Sequence, residues 1–185
     1  MREKNRSTRE YIDLANKVHE IAGHYNIPLI IDDRIDVAMA VKSEGVHLGQ
    51  SDMPIKVARK ILGNDFIIGA TTKTVPQAEE AYEQGADYCG VGAIYPTTTK
   101  VKTVITSPQT LSEICSAVPI PVNAIGGLNK NNLSVLEGIK ISRICVVFAI
   151  SITTLQKWRS VIQKLVKQQS LMYLKKLLVY MQANL

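Results

Sequence analysis

Segments with helical spacing alternate with short, nearly continuous apolar runs along residues 8–147, and this alternation constrains the fold more than any other feature. Residues 8–24 place Tyr11, Ile12, Ala15, Val18, Ile21 and Ala22 at helical intervals. Ser7 is positioned to cap that helix, and Glu10 three residues on would complete a capping box. The run from Pro28 to Asp33 follows, apolar and ending in acids. The same unit then recurs: a helical pattern over 36–43 leads to a run at 45–50, and one over 54–62 leads to 66–71. Helical patterns over 75–84, 108–117 and 130–138 lead in turn to runs at 88–92, 121–127 and 144–147.

Short apolar strands separated by helices predict parallel β/α units, because a parallel strand is buried on both faces. Glycine recurs between a helix and the next strand, where a left-handed residue ends a helix. Each of the six strands is closed at its C-terminal end by polar residues or glycine, the end at which a (β/α) barrel builds its site. An open, doubly wound sheet is the alternative, but it would carry a glycine-rich nucleotide fingerprint after its first strand, and none is present. The expectation is therefore α/β, of the (β/α)8 TIM-barrel type. Such a barrel needs about 200 residues or more, so the first two strands and the helix between them have no sequence to come from. An opened barrel of this kind would expose two strand edges and leave Arg2 and Lys4 on a loose terminus. Residues 1–152 are read as the partial barrel domain. Residues 153–185 are read as the last barrel helix followed by a basic, amphipathic helical extension.

The formal charge of +6 suggests nucleic acid until it is localised. Residues 151–185 hold six Lys and Arg and no acid, leaving 16 basic against 16 acidic residues elsewhere. The body is neutral, and a nucleic-acid surface would need its charge there. The extension is read as a helix packed on the domain, with a membrane-surface helix as the alternative. No apolar run is long enough to span a bilayer and the charged start resembles no signal peptide, which makes the cytoplasm the expected location. Cys89, Cys115 and Cys145 are widely spaced and lack zinc-site spacing, so they read as structural thiols.

The polar residues at the strand ends include Arg2, Lys4, Asp32, Asp33, Asp52, Thr71, Thr97, Lys100 and the pair Gly126-Gly127. Carboxylates from neighbouring loops suit Mg²⁺, which shares oxygen ligands with phosphates. Cations beside them suit a diphosphate leaving group. Paired glycines before a helix start at Asn129 would expose backbone N–H groups to a phosphate. Plainer explanations exist for each. Asp33-Arg34 could be a surface ion pair, Asp52 could cap the following helix, and 97–100 could be an ordinary polar loop.

Arg2-Glu3-Lys4, then Ile31-Asp32-Asp33-Arg34, then His47-Leu48-Gly49-Gln50-Ser51-Asp52-Met53-Pro54 resemble the thiamine-phosphate synthase family in order and spacing. The likeness continues through Tyr95-Pro96-Thr97-Thr98-Thr99-Lys100 and Ala124-Ile125-Gly126-Gly127, and covers roughly residues 1–150. The resemblance implies Mg²⁺-dependent condensation of hydroxymethylpyrimidine diphosphate with a hydroxyethylthiazole phosphate, by departure of diphosphate and capture of a pyrimidine cation. It implies Asp33 and Asp52 as metal ligands, and Arg2, Lys4 and Lys100 as holders of the diphosphate, with Lys100, Arg2 and Thr71 catalytic. Thr71 stands where the family has a serine near the pyrimidine. Thr97 and Gly127 fall on the thiazole phosphate side, and Val147 completes the substrate-binding set.

Three places depart from the pattern, one of them the segment Gly138-Ile139-Lys140-Ile141-Ser142, where the family has Gly-Ala-Asp before the last strand. Asp32 replaces an Asn that contacts the diphosphate, and a carboxylate there would repel substrate unless protonated or turned to the metal. Phe148 replaces a phosphate-binding Ser and cannot donate its hydrogen bond. Three functions are thereby in view: an active synthase, completed by self-association if the barrel is open; an inactive remnant that binds a ligand or partner; and the related thiazole tautomerase. The retention of Asp33, Asp52, Thr97 and Lys100 favours the first, whereas the missing strands and Phe148 favour the second.

Overall fold

The structure is a computed structural model that describes residues 1–97 and 104–146. Six parallel strands pair in chain order: β1 (Ile30–Asp32), β2 (Gly45–Leu48), β3 (Ile67–Thr72), β4 (Tyr88–Val91), β5 (Val122–Ile125) and β6 (Arg143–Cys145). Helix α1 (Thr8–His24) precedes β1, and α2 (Ile35–Val41), α3 (Ile55–Leu62), α4 (Val75–Glu83) and α5 (Pro108–Ala117) make the next four crossovers. Right-handed crossovers between neighbouring strands put every helix on the same face of the sheet. The opposite, concave face is left to the alternate side chains of each strand.

The local signals act as the sequence predicts. Ser7 accepts from the Glu10 backbone and the Glu10 carboxylate accepts from the Ser7 N–H, closing the capping box. Gly63 and Gly85 follow α3 and α4 at φ 78° and 93°, and Lys42 adopts the same left-handed geometry after α2. On the helix face, Ile31, Val46 and Ile68 pack with Tyr11, Ala15 and Ala58, while Cys89, Val91 and Ala124 pack with Leu111 and Ile114. Cys89 and Cys145 are buried free thiols, in keeping with a structural role. Among the described residues no helix is long and apolar enough to cross a membrane. The helical extension at 153–185 lies outside the described residues.

One element departs from expectation. In place of a helix over 130–138 there is only a 3-10 turn, Leu133–Leu136. The run Asn129-Lys130-Asn131-Asn132 explains it, because asparagine side chains compete for backbone groups that a helix would use. Asn132 Oδ1 accepts the Asn129 N–H (2.8 Å) and Asn129 Oδ1 accepts the Asn131 N–H (3.0 Å).

At the opposite end from the acidic loops, Arg59 of α3 ties two connections together, α3 to β3 and α4 to β4. Its guanidinium donates to the carbonyls of Gly63 (2.8 Å), Phe66 (2.6 Å) and Gly85 (2.7 Å) and to the Asp87 carboxylate (2.6 Å). Asp87 in turn accepts the Ile68 N–H at the start of β3 (2.7 Å). Arg59→Ala would strand several carbonyls at once and is expected to destabilise by roughly 2–4 kcal/mol. Urea unfolding would measure this, and an unchanged midpoint would show that the clamp carries no stability.

Candidate active site

The concave face carries a polar set where a barrel interior would be expected to hold packed aliphatic side chains. Across the strands Asp32 is in register with His47, His47 with Gly69, and Gly69 with Tyr88. One step nearer the C-terminal ends, Thr71, Gly90, Asn123 and Arg143 are in register. His47 lies across the two glycines. Its Nδ1 is 3.0 Å from the Tyr88 hydroxyl and its Nε2 2.9 Å from Thr71 Oγ1. A Cβ on Gly69 would fall 2.1 Å from Tyr88 Cζ and 2.5 Å from His47 Nδ1, and one on Gly90 would fall 2.9 Å from His47 Cε1. The glycines therefore make room for the imidazole. Burial, with Asp32 adding to it, raises the Tyr88 phenol, so it stays protonated and able to donate.

Charge gathers at the C-terminal ends of β1 and β2. Met1 lies alongside β1: its nitrogen donates to the Ile30 carbonyl, and its own carbonyl accepts the Asp32 N–H (2.8 Å) and the Tyr11 hydroxyl (2.9 Å). This fixes the residue that follows. Arg2 Nε donates to Asp33 Oδ2 at 3.1 Å and stands 3.9 Å from Asp32, and Lys4 Nζ is 3.9 Å from Asp33. The expectation that these two cations sit on a loose terminus is overturned by that pairing. Asp33 takes a left-handed conformation (φ 64°) while its N–H donates to the His47 carbonyl (2.9 Å), which turns the chain sharply out of β1.

The plainer readings of the acids also fail. Arg34 bonds Asp36 and Thr8, not Asp33. Asp52 is not a helix cap, because Pro54 holds the N-cap position of α3 and no side chain caps it. Its carboxylate instead folds back to accept the Gly49 N–H (2.6 Å), just past the end of β2. Next to it, Gln50 donates to the Thr71 carbonyl (2.7 Å), tying this loop to the end of β3.

The glycine pair has a packing role. Gly126 and Gly127 have φ 97° and 66°, and a Cβ on Gly127 would meet Tyr95 Cβ at 2.6 Å and the Pro96 carbonyl at 2.8 Å. They let the segment before Thr97 lie against the end of β5, where Tyr95 donates to Gly126 (3.0 Å). The Asn129 N–H, expected to face a phosphate, is taken by Asn132, and no helix starts there. Thr97 is the last residue described before 104; Lys100, Val147 and Phe148 lie outside the described residues. His47, Tyr88 and Asn123 were not among the predicted site residues. The His47-to-Gln50 motif lay beside Asp52 in sequence, but nothing local signals a bond spanning 41 residues.

Fold and rim together define a sequentially wound (β/α) protein that concentrates its ionisable groups at the strand C-termini. The profile of the family described as thiamine monophosphate synthase matches residues 1–150. Thiamine-phosphate synthase 2 of Streptococcus pneumoniae (serotype 4) is 52% identical over 147 residues, 80% of this chain and 70% of that protein. The thiamine-phosphate synthase of Clostridium tetani is 48% identical over 150 residues, 81% of this chain and 72% of that one. The solved structure of a thiamine phosphate pyrophosphorylase from Pyrococcus furiosus superposes with a TM-score of 0.81 at 34% identity, covering 90% of this chain and 82% of that one. The chain belongs to the thiamine monophosphate synthase family.

Asp32 is the strained member of the site. It is 7% exposed, and its Oδ1 is buried without a hydrogen-bond partner among the described residues. Burial pushes its carboxyl up to about 7; the positive charges of Met1 and Arg2 oppose that rise, and Asp33 and Asp52 add to it. The folded carboxyl thus keeps its proton to a higher pH than an unfolded aspartate. Folding takes up a proton between about pH 4 and pH 7, and stability falls as pH rises through that window. Asp32→Asn should remove this slope, stabilising the protein at pH 8 by at most about 4 kcal/mol and hardly at all near pH 4. Urea unfolding at the two pH values tests it, and an equal effect at both would place the carboxyl in its ordinary range.

Proposed function

We propose that this chain joins hydroxymethylpyrimidine diphosphate to hydroxyethylthiazole phosphate, releasing pyrophosphate and forming thiamine phosphate, in a Mg²⁺-dependent reaction. The observation that carries the reading is the rim itself: Arg2, Asp33 and Asp52 stand at the adjoining ends of β1 and β2, in a chain that matches the family over residues 1–150.

In the reaction the bond between the pyrimidine methylene and the diphosphate oxygen breaks, and its electron pair leaves with the diphosphate. The thiazole nitrogen then forms the new C–N bond to the methylene. Negative charge grows on the departing diphosphate, so groups that bind it more tightly as it leaves lower the barrier. Arg2, held by Asp33, is preorganised for that task, with Lys4 at the exposed edge. Lys100 is assigned to the same diphosphate by its place in the motif. Thr71 is oriented by His47 toward the concave face and is assigned to the pyrimidine methylene. Thr97, Gly127 and Val147 are assigned to the thiazole phosphate.

The donor set fits Mg²⁺. Asp33 and Asp52 are hard oxygen donors on adjoining loops, and the orphaned Asp32 Oδ1 lies beside them. Among the described residues no group of three or more acids, histidines or cysteines could hold an ion alone. The remaining ligands would then come from phosphate oxygens and water, which is how Mg²⁺ is usually held. Bound there, the ion would neutralise charge on the diphosphate.

The sheet is read as six strands of a (β/α)8 barrel. Met1 supports this, since its two backbone bonds to β1 continue the parallel ladder by one position beyond the sheet edge. Free thiols at Cys89, Cys115 and Cys145 fit a reducing, cytoplasmic setting.

Purified protein incubated with both half-substrates and Mg²⁺ should form thiamine phosphate, read as fluorescent thiochrome after oxidation, and a chelator should abolish the signal. Asp52→Ala should lose at least about a hundredfold in Mg²⁺-dependent turnover, in the range of a lost charge-stabilising contact. Lys100→Ala should lower kcat at least as much as it raises KM. Product at an undiminished rate from either variant would overturn its assigned role. A folded wild-type chain that makes no product would identify a ligand-binding relative instead.

A further inference from the structure

Asn123 is the most exceptional polar side chain outside the charged rim. It is 1% exposed, lies within β5, and neither its Oδ1 nor its Nδ2 has a hydrogen-bond partner among the described residues. Buried amides are nearly always satisfied, so one orphaned at both atoms is selected for something other than stability. Its neighbours in the strand, Val122 and Ala124, pack into the helix-side core, which puts Asn123 on the concave face with His47 and Thr71. Thr71, Gly90 and Asn123 are consecutive partners across the sheet. Two strand spacings, about 9.5 Å, therefore separate the Thr71 and Asn123 backbones. Gly90 between them has no side chain, and the edge of the His47 ring covers it.

We infer that Asn123 is a specificity-determining residue that reads the amino group and adjacent ring nitrogen of the pyrimidine substrate. The inference rests on the function proposed above. The chemistry is complementary: a primary amide presents one acceptor and two donors in one plane, and an aminopyrimidine edge presents an N–H donor beside a nitrogen acceptor. Asn123 Oδ1 accepts from the amino group while Nδ2 donates to the ring nitrogen, the pairing by which asparagine recognises adenine in nucleic acids. With the ring anchored at Asn123, its methylene substituent projects toward Thr71, and the diphosphate continues toward the cations at the ends of β1 and β2.

The test compares the aminopyrimidine diphosphate with its analogue carrying hydrogen in place of the amino group. Wild type should prefer the amino compound in kcat/KM by at least about tenfold, because the analogue leaves Oδ1 buried and unpaired. In Asn123→Leu that preference should fall to one or below, with the KM for thiazole phosphate unchanged. A purely structural asparagine would move both substrates together, and its loss would lower the unfolding temperature. Here Asn123→Leu should unfold at the same or a higher temperature, and Asn123→Val provides a smaller replacement should leucine not fit. Calorimetric binding of the two pyrimidine alcohols, with and without the amino group, repeats the comparison without catalysis. If wild type makes no product yet binds the amino alcohol selectively through Asn123, the catalytic reading fails and this inference stands. Full discrimination in both variants would overturn the inference and leave the catalytic reading intact.

Discussion

Pairing of parallel strands in strict chain order is the constraint on which everything else depends. Once each crossover returns to the neighbouring strand with right-handed sense, all helices must lie on one face. The apolar half of each strand is committed to them, as Val46, Ile68, Cys89 and Ala124 illustrate. The other half is released from core duty. It is here that the chain places Asp32, His47, Thr71, Tyr88 and Asn123, five polar residues that an ordinary sheet interior would exclude.

Keeping such a set buried requires both space and compensation. Gly69 and Gly90 supply the space, since any side chain there would collide with the imidazole of His47. Compensation is uneven. His47 is bonded on both ring nitrogens and Tyr88 through its hydroxyl, whereas Asp32 and Asn123 carry atoms with no hydrogen-bond partner among the described residues. At the rim the balance reverses: Arg2 serves both Asp32 and Asp33, and Lys4 reaches only the second. An incoming diphosphate would compete with those carboxylates for the same cations, and a divalent ion on the carboxylates would release them to it.

How much was legible in the sequence follows from the range of each interaction. Local devices were readable because their partners lie within a turn: the Ser7–Glu10 box, the glycines after α3 and α4, the apolar strands. The places of Asp33 and Asp52 just past β1 and β2 were readable from the strand pattern, though their partners, Arg2 and the Gly49 N–H, were not. The segment 129–138 misled because its apolar spacing is helical while its asparagines bind their own backbone. Arg59, His47, Tyr88 and Asn123 were invisible for one reason. Their significance lies in what surrounds them after folding, and a one-dimensional pattern carries no record of which distant groups will meet a side chain.

Unsatisfied groups are costly, and their distribution is therefore informative. The helix face of this sheet is made almost wholly of aliphatic contacts, and the Arg59 clamp at the far end satisfies its charge four times over. Among the described residues, the buried side-chain atoms without partners are Asp32 Oδ1, both amide atoms of Asn123 and Arg143 Nε on the concave face, with the hydroxyls of Thr72, on the helix face, and Thr106. A chain selected for stability alone would have exchanged those on the concave face for valine or leucine. Their concentration opposite the clamp fits a division of labour in which one end of the strands secures the fold and the other holds polar atoms in reserve for a ligand.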